Sequence, residues 1–168
     1  MSAKIRKWAL SDACDLAKAV SNPRVLNNLR DGLPYPYTEA DAKEFITLML
    51  QADPNTTFSF AIECEGKAVG SIAAFRQSNI HARTAELGYY VGEDDWGKGI
   101  ATQAVLAICS YLFENTDILR IFAEPFAYNL ASCRVLEKAG FECEGILRSN
   151  AFKNGKVLDM KMYALIKK

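Results

Sequence analysis

Three glycines fall close together in the stretch GEDDWGKGIAT, from Gly92 to Thr102, between an alternating apolar run and a long helical pattern. A glycine-rich turn leading from a strand into a helix suits phosphate, because the first N–H groups of the helix are unsatisfied and its dipole favours an anion. Spacing separates three designs. Gly92, Gly97 and Lys98 meet the glycine and lysine positions of a P-loop, but Gly99 stands where a metal-binding hydroxyl belongs. Glu93, Asp94 and Asp95 would also repel the nucleotide phosphates. A dinucleotide fingerprint fails too, since Thr102 occupies its third glycine and the motif lies far from the start of the chain. What remains is a pyrophosphate held by successive backbone N–H groups, with a plain helix cap carrying Asp95 as the bland alternative.

The flanking elements must hold this turn in place. KIRKWAL alternates as a strand, and Ser11 is placed to cap the helix DACDLAKAVSN, with a short helix following from Pro23 through Arg30. After the break DGLPYPY, Thr38 and Asp41 form a capping-box-like pair ahead of AKEFITLMLQ. TFSFAIEC and KAVGSIAAF are separated by Glu65-Gly66, which predicts a hairpin, and TAELGYYVG is the strand entering the glycine turn. Beyond it, Ile100, Ala104, Val105, Ile108 and Leu112 share one helical face that packs on a sheet. LRIFAEPF is a further strand, NLASCRVLEKAG a helix closed by Gly140, and FECEGILRS and VLDMKMYALIKK flank the turn KNGK. Strands, then helices, then a terminal hairpin imply a mixed α/β sheet.

Composition excludes several function classes. The chain has 168 residues, half of them hydrophobic, enough for one domain with a real core spanning residues 1–168. Twenty basic residues balance twenty acidic ones, so nothing argues for nucleic acid or a charged membrane surface. No apolar run approaches a membrane span and no secretory leader is evident, which gives a cytoplasmic expectation. Cys14, Cys64, Cys109, Cys133 and Cys143 are scattered without zinc-site spacing, so reduced and mostly buried thiols are expected.

The pair AELGYYVGEDDWGKGIATQAV and, further on, NLASCRVLEKAGFECEG resembles the acetyl-CoA-binding core of the GNAT N-acetyltransferases. Within that superfamily the chain is most similar to the branch of ribosomal-protein N-terminal alanine and serine acetyltransferases, and the likeness covers essentially its whole length. The resemblance implies an α/β GNAT fold: a mostly antiparallel sheet of about seven strands, flanked by about four helices and splayed next to the fourth strand. It implies acetyl-CoA as cosubstrate and no metal. The family pattern of Gln or Arg, two residues, Gly, one residue, then Gly or Ala falls on Trp96, Gly99 and Ala101, with Trp96 departing from the general pattern. Gly97, Lys98, Gly99, Ile100, Ala101 and Thr102 would then surround the pyrophosphate, and Val91 and Asn129 would bind the pantetheine arm. Asn129 also suits a plain N-cap for the helix that follows.

Acetyl transfer to an amine requires a base, oxyanion stabilisation and a tolerated or protonated thiolate. By resemblance, Glu86 is the leading base and Glu124 its rival. Either could instead be a structural carboxylate with a basic partner. Where many GNAT enzymes have a tyrosine on the second helix this chain has Leu136, and Ser132 matches the serine of the ribosomal-protein branch as acid. A backbone N–H near Val91 is the expected oxyanion donor. Tyr35 and Tyr37 overhang the acceptor site by resemblance and are equally suited to packing, while His81 reads as an exposed loop residue. The expected acceptor is a protein or peptide N-terminal amine, in a monomer or homodimer with no nucleic acid or membrane partner. A polyamine or amino-sugar acceptor, and a non-catalytic acyl-CoA-binding module, are the alternatives.

Overall fold

The computed structural model describes residues 1–168. In chain order the regular elements are β1 (Ala3–Arg6), α1 (Ala13–Val20), α2 (Pro23–Leu26), α3 (Glu39–Gln51), β2 (Thr57–Cys64), β3 (Lys67–Arg76), β4 (Thr84–Val91), α4 (Ile100–Asn115), β5 (Arg120–Ala123), α5 (Leu130–Lys138), β6 (Glu142–Lys153) and β7 (Lys156–Ile166). They form one seven-stranded sheet of order β1-β2-β3-β4-β5-β7-β6. Every pairing is antiparallel except β4 with β5, which α4 connects as a crossover. The α/β fold with its mostly antiparallel sheet is as expected, and the short α2 brings the helices to five.

Unequal strand lengths open the sheet beside β4. The β4–β5 ladder holds only Thr84–Arg120, Ala85–Ile121 and Glu86–Phe122, after which β4 runs on to Val91 while β5 stops at Ala123. On the other side β4 stays paired with β3 along its whole length. The two strands come so close at Gly70 that a Cβ there would collide with the Tyr90 carbonyl oxygen.

A core lies on each face. One gathers α4 and α5 against the sheet, with Ile100, Ala104, Val105, Ile108 and Leu112 all buried as the helical face predicts. Each of these but Ala104 contributes roughly 1.5–3 kcal/mol on burial. The other core packs α1 and α3 on the opposite face through Leu16, Val20, Ile46, Trp8 and Tyr37. No helix is long and apolar enough to cross a membrane.

Local signals explain most boundaries and two departures. The Thr38–Asp41 box forms reciprocally at the start of α3. Ser11, however, does not cap α1: it sits within a 3-10 turn, Leu10–Asp12, that precedes the helix. Asp12 organises that turn by accepting from Ala9 N at 2.9 Å and from the Arg6 guanidinium in two bonds of 2.8 Å, which hold its carboxyl below the usual range. Likewise α2 ends at Leu26 and not at Arg30, because Asn28 N and Leu29 N bond three residues back, to Val25 O at 3.1 Å and Leu26 O at 3.0 Å, and Tyr128 Oη then holds the departing chain by donating to the Asn27 carbonyl at 2.6 Å. Cys64, Cys109 and Cys133 are buried thiols, whereas Cys14 and Cys143 are exposed.

Candidate active site

The glycine turn delivers an unsatisfied run of donors. After Trp96, none of the six N–H groups from Gly97 to Thr102 meets a protein acceptor, and the first helical bond is Gln103 N to Gly99 O at 3.1 Å. Gly97 and Gly99 have φ of 73° and 77°, the left-handed region that side chains resist. A Cβ at Gly97 would meet nothing within 4 Å, so the backbone there is open to a ligand. This surface fits a pyrophosphate bound through main-chain N–H groups. Trp96 and Lys98 serve the loop itself: the Trp96 indole donates to the Val91 carbonyl at 2.8 Å, and Lys98 pairs with Asp95 at 2.9 Å. Arg24 stacks over the Trp96 ring at 5.7 Å and ion-pairs with Glu93, tying the turn to α2.

Beside this turn lies the gap in the sheet. Gly92 N donates to Val69 O at 2.8 Å, so by the alternation of an antiparallel ladder Leu87, Tyr89 and Val91 turn their backbone groups away from β3 and into the gap. Across it, Asn129 caps α5 by accepting from Ser132 N at 3.2 Å. Tyr89 Oη lies 2.8 Å from Ser132 Oγ and 3.2 Å from the Ser132 carbonyl oxygen. Burial pushes the Tyr89 phenol above its ordinary pKa, so it keeps its proton at neutral pH. Tyr89 has no counterpart in the sequence reading, and its strand position gives the missing signal: alternation puts it on the same face as Leu87 and Val91, toward α5.

At the far end the carboxylates come together. Glu86 stands opposite Phe75 on β3 and Phe122 on β5, so the three share a face, and Glu124 follows Phe122 just past the end of β5. Arg30, from the loop between α2 and α3, bonds Glu86 through Nη2, and the same nitrogen lies 3.6 Å from Glu124 Oε2. Burial first, and the charge of Glu86 second, raise the Glu124 pKa against the opposing pull of Arg30.

A single cleft of about 720 Å³ connects these parts, lined by Gly97, Gly99, Tyr89, Asn129 and Ser132 at one end and by Arg30, Glu86 and Glu124 at the other. A second cavity of about 430 Å³ meets it at the carboxylates and is walled by Phe122, Phe126, Phe152 and Met160. Val91, Ile100, Ala101 and Thr102 line the larger cleft, as does Tyr37. Tyr37 is nonetheless buried against the α3 side of the sheet, its phenol pushed up to about 12. Tyr35 is 63% exposed and lines neither cavity. His81 is exposed, and Cys133 is buried in the α4–α5 core.

The family described as Acetyltransferase (GNAT) domain matches residues 3–142. An uncharacterized N-acetyltransferase, p20, of Bacillus licheniformis is 29% identical over 98% of this chain and 92% of its own length. The ribosomal-protein-serine acetyltransferase of Escherichia coli strain K12 is 31% identical over 64% of this chain and 59% of its own. Among solved structures, RimL, a ribosomal L7/L12 alpha-N-protein acetyltransferase in complex with coenzyme A, aligns with a TM-score of 0.85. That alignment covers 99% of this chain and 94% of that one at 23% identity, a likeness of fold. With residues 3–142 matched, glycine turn and α5 included, the chain belongs to the GNAT acetyltransferase family.

Proposed function

We propose that the protein transfers an acetyl group from acetyl-CoA to a primary amine, and that the amine is the N-terminus of a peptide or protein. The observation that carries this reading is the continuity of one cleft from the unsatisfied N–H groups at Gly97–Thr102 to the Glu86–Glu124 pair. When bound, acetyl-CoA supplies an activated acetyl thioester. The chain's own residues do the rest. Glu124 takes the proton of the acceptor ammonium, and its raised pKa brings it closer to the working pH than an ordinary carboxylate. Glu86, on the same face, holds the ammonium before that transfer. The N–H of Val91 faces the gap as a donor for developing negative charge on oxygen. Ser132 Oγ, 2.8 Å from the protonated Tyr89 phenol, holds a proton for the leaving sulfur.

The acceptor follows from proton affinity. An α-amino group has a reference pKa near ~8 against roughly 10.4 for a lysine-type amine, so it gives its proton to a carboxylate more readily. The acceptor end offers only the Glu86–Glu124 pair, since Asp31 is paired with Lys153, which suits a single ammonium and is no strongly acidic patch of the kind that would gather a polyamine. The ribosomal-protein-serine acetyltransferase among the relatives supports the same choice, while a spermidine N(1)-acetyltransferase of Escherichia coli, 28% identical over 57% of this chain, makes the polyamine the alternative to test. A panel of acceptors assayed with acetyl-CoA by free-thiol release should show turnover on peptides beginning with Ser or Ala. Efficient turnover confined to spermidine or an aminoglycoside would replace the peptide assignment, and no turnover on any amine would leave an acyl-CoA-binding module.

A further inference from the structure

The acceptor end of the cleft already contains a cation. One nitrogen of Arg30, Nη2, bridges Glu86 and Glu124, as an ammonium would. Phe122, Phe126, Phe152 and Met160 wall the cavity beside it, an apolar and aromatic surround suited to a positively charged group. Arg30 itself is poorly anchored, with 62% of its side chain exposed. Its loop is fastened to the tip of the β6–β7 hairpin by Asp31 with Lys153 at 2.8 Å and Asn27 with Asn154 at 3.3 Å, so the backbone is held while the guanidinium can swing out.

We propose that Arg30 is an internal stand-in for the acceptor's ammonium: it occupies the cation position between Glu86 and Glu124, and the acceptor enters by displacing it. This rests on the acetyltransferase reading of the cleft and adds a specificity-determining residue to it. Only the Arg30 end of the pair is largely exposed, the two glutamates being mostly covered, so a cationic acceptor able to reach both carboxylates releases Arg30 into solvent and takes over its contacts. A neutral or anionic molecule cannot, and meets a closed pocket. The charged groups facing the position are Glu86 on β4, Glu124 after β5, Arg30 and Asp31 on the loop, and Lys153 on β6.

The test is Arg30→Ala, a change at an exposed loop side chain. If the plugged arrangement holds nine-tenths of the population, removing it lowers the KM for a peptide beginning with Ser about tenfold. The KM for acetyl-CoA should stay unchanged, and the acid limb of kcat/KM should move to higher pH as Glu124 loses a neighbouring positive charge. Independently of turnover, methylguanidinium titrated by NMR should bind R30A about tenfold more tightly than the parent protein. The double variant R30A/E86Q should lose that binding. Equal methylguanidinium affinity in R30A and the parent, or a raised acceptor KM in R30A, would overturn the proposal. Because the methylguanidinium arm needs no acetylation, its failure is distinguishable from failure of the peptide-acceptor assignment.

Discussion

Glu124→Gln should lower kcat roughly a hundredfold or more, the usual contribution of a positioned base, while coenzyme A affinity measured by calorimetry stays close to that of the parent. The amide keeps the shape of the side chain and removes its ability to take a proton. Burial and the neighbouring Glu86 raise the Glu124 pKa, so the acid limb of the parent's kcat/KM profile should lie above the ordinary glutamate value near ~4.3. In the variant that limb should disappear. Glu86→Gln should act differently: Glu86 takes the direct bond from Arg30, so its loss should raise the acceptor KM more than it lowers kcat. The reverse split, with the larger kcat loss in Glu86→Gln, would move the base to β4.

Gly99→Val should reduce coenzyme A affinity by more than about tenfold, since two costs coincide. A β-branched residue at φ 77° is strongly disfavoured, and the left-handed region costs an ordinary L-residue roughly 1–2 kcal/mol. Relief of that strain would rotate the N–H groups of Gly99 and its neighbours away from their common direction. Gly99→Ala should fall between the parent and the valine variant. Calorimetric titration with coenzyme A checks this, and an unchanged dissociation constant for Gly99→Val would remove the pyrophosphate from this turn.

Local chemistry made the scaffold readable. Thr38 and Asp41 are three residues apart and cap the same turn, Glu65-Gly66 joins two alternating runs, and the α4 face repeats with helical period, so each signal is complete within a few residues. Ser11 failed because the competing group lay outside its window: Arg6 on β1 draws the neighbouring Asp12 into a 3-10 turn. The glycine turn and Asn129 were legible for the same local reason as the caps. Arg30 and Tyr89 were not. Arg30 meets Glu86 only because the loop after α2 is held by Tyr128 and the distant Asn154, and Tyr89 reaches Ser132 across an opening that depends on where β5 stops. Alternation fixes the face of a strand residue, but not which loop or helix will lie over that face.

The short ladder between β4 and β5 also bears on how the molecule comes apart. Three residue pairs, with a further bond from Leu119 N to Arg83 O at 2.8 Å at their head, form the backbone seam between the section β1–β4 and the section β5–β7–β6, although the two share side chains beneath α4 and α5. Amide hydrogen exchange should find this seam as a line of weakness, with β5 and its neighbours opening at lower free energy than the fully paired β2 and β3. A ligand lying along the gap would mortar the two sections together. At a hundred times its dissociation constant it would stabilise the folded protein by about 2.7 kcal/mol, a gain visible as slowed exchange on both banks of the opening. The nucleotide-bearing cosubstrate would then act as a removable eighth strand, and the empty enzyme would be the looser of the two states.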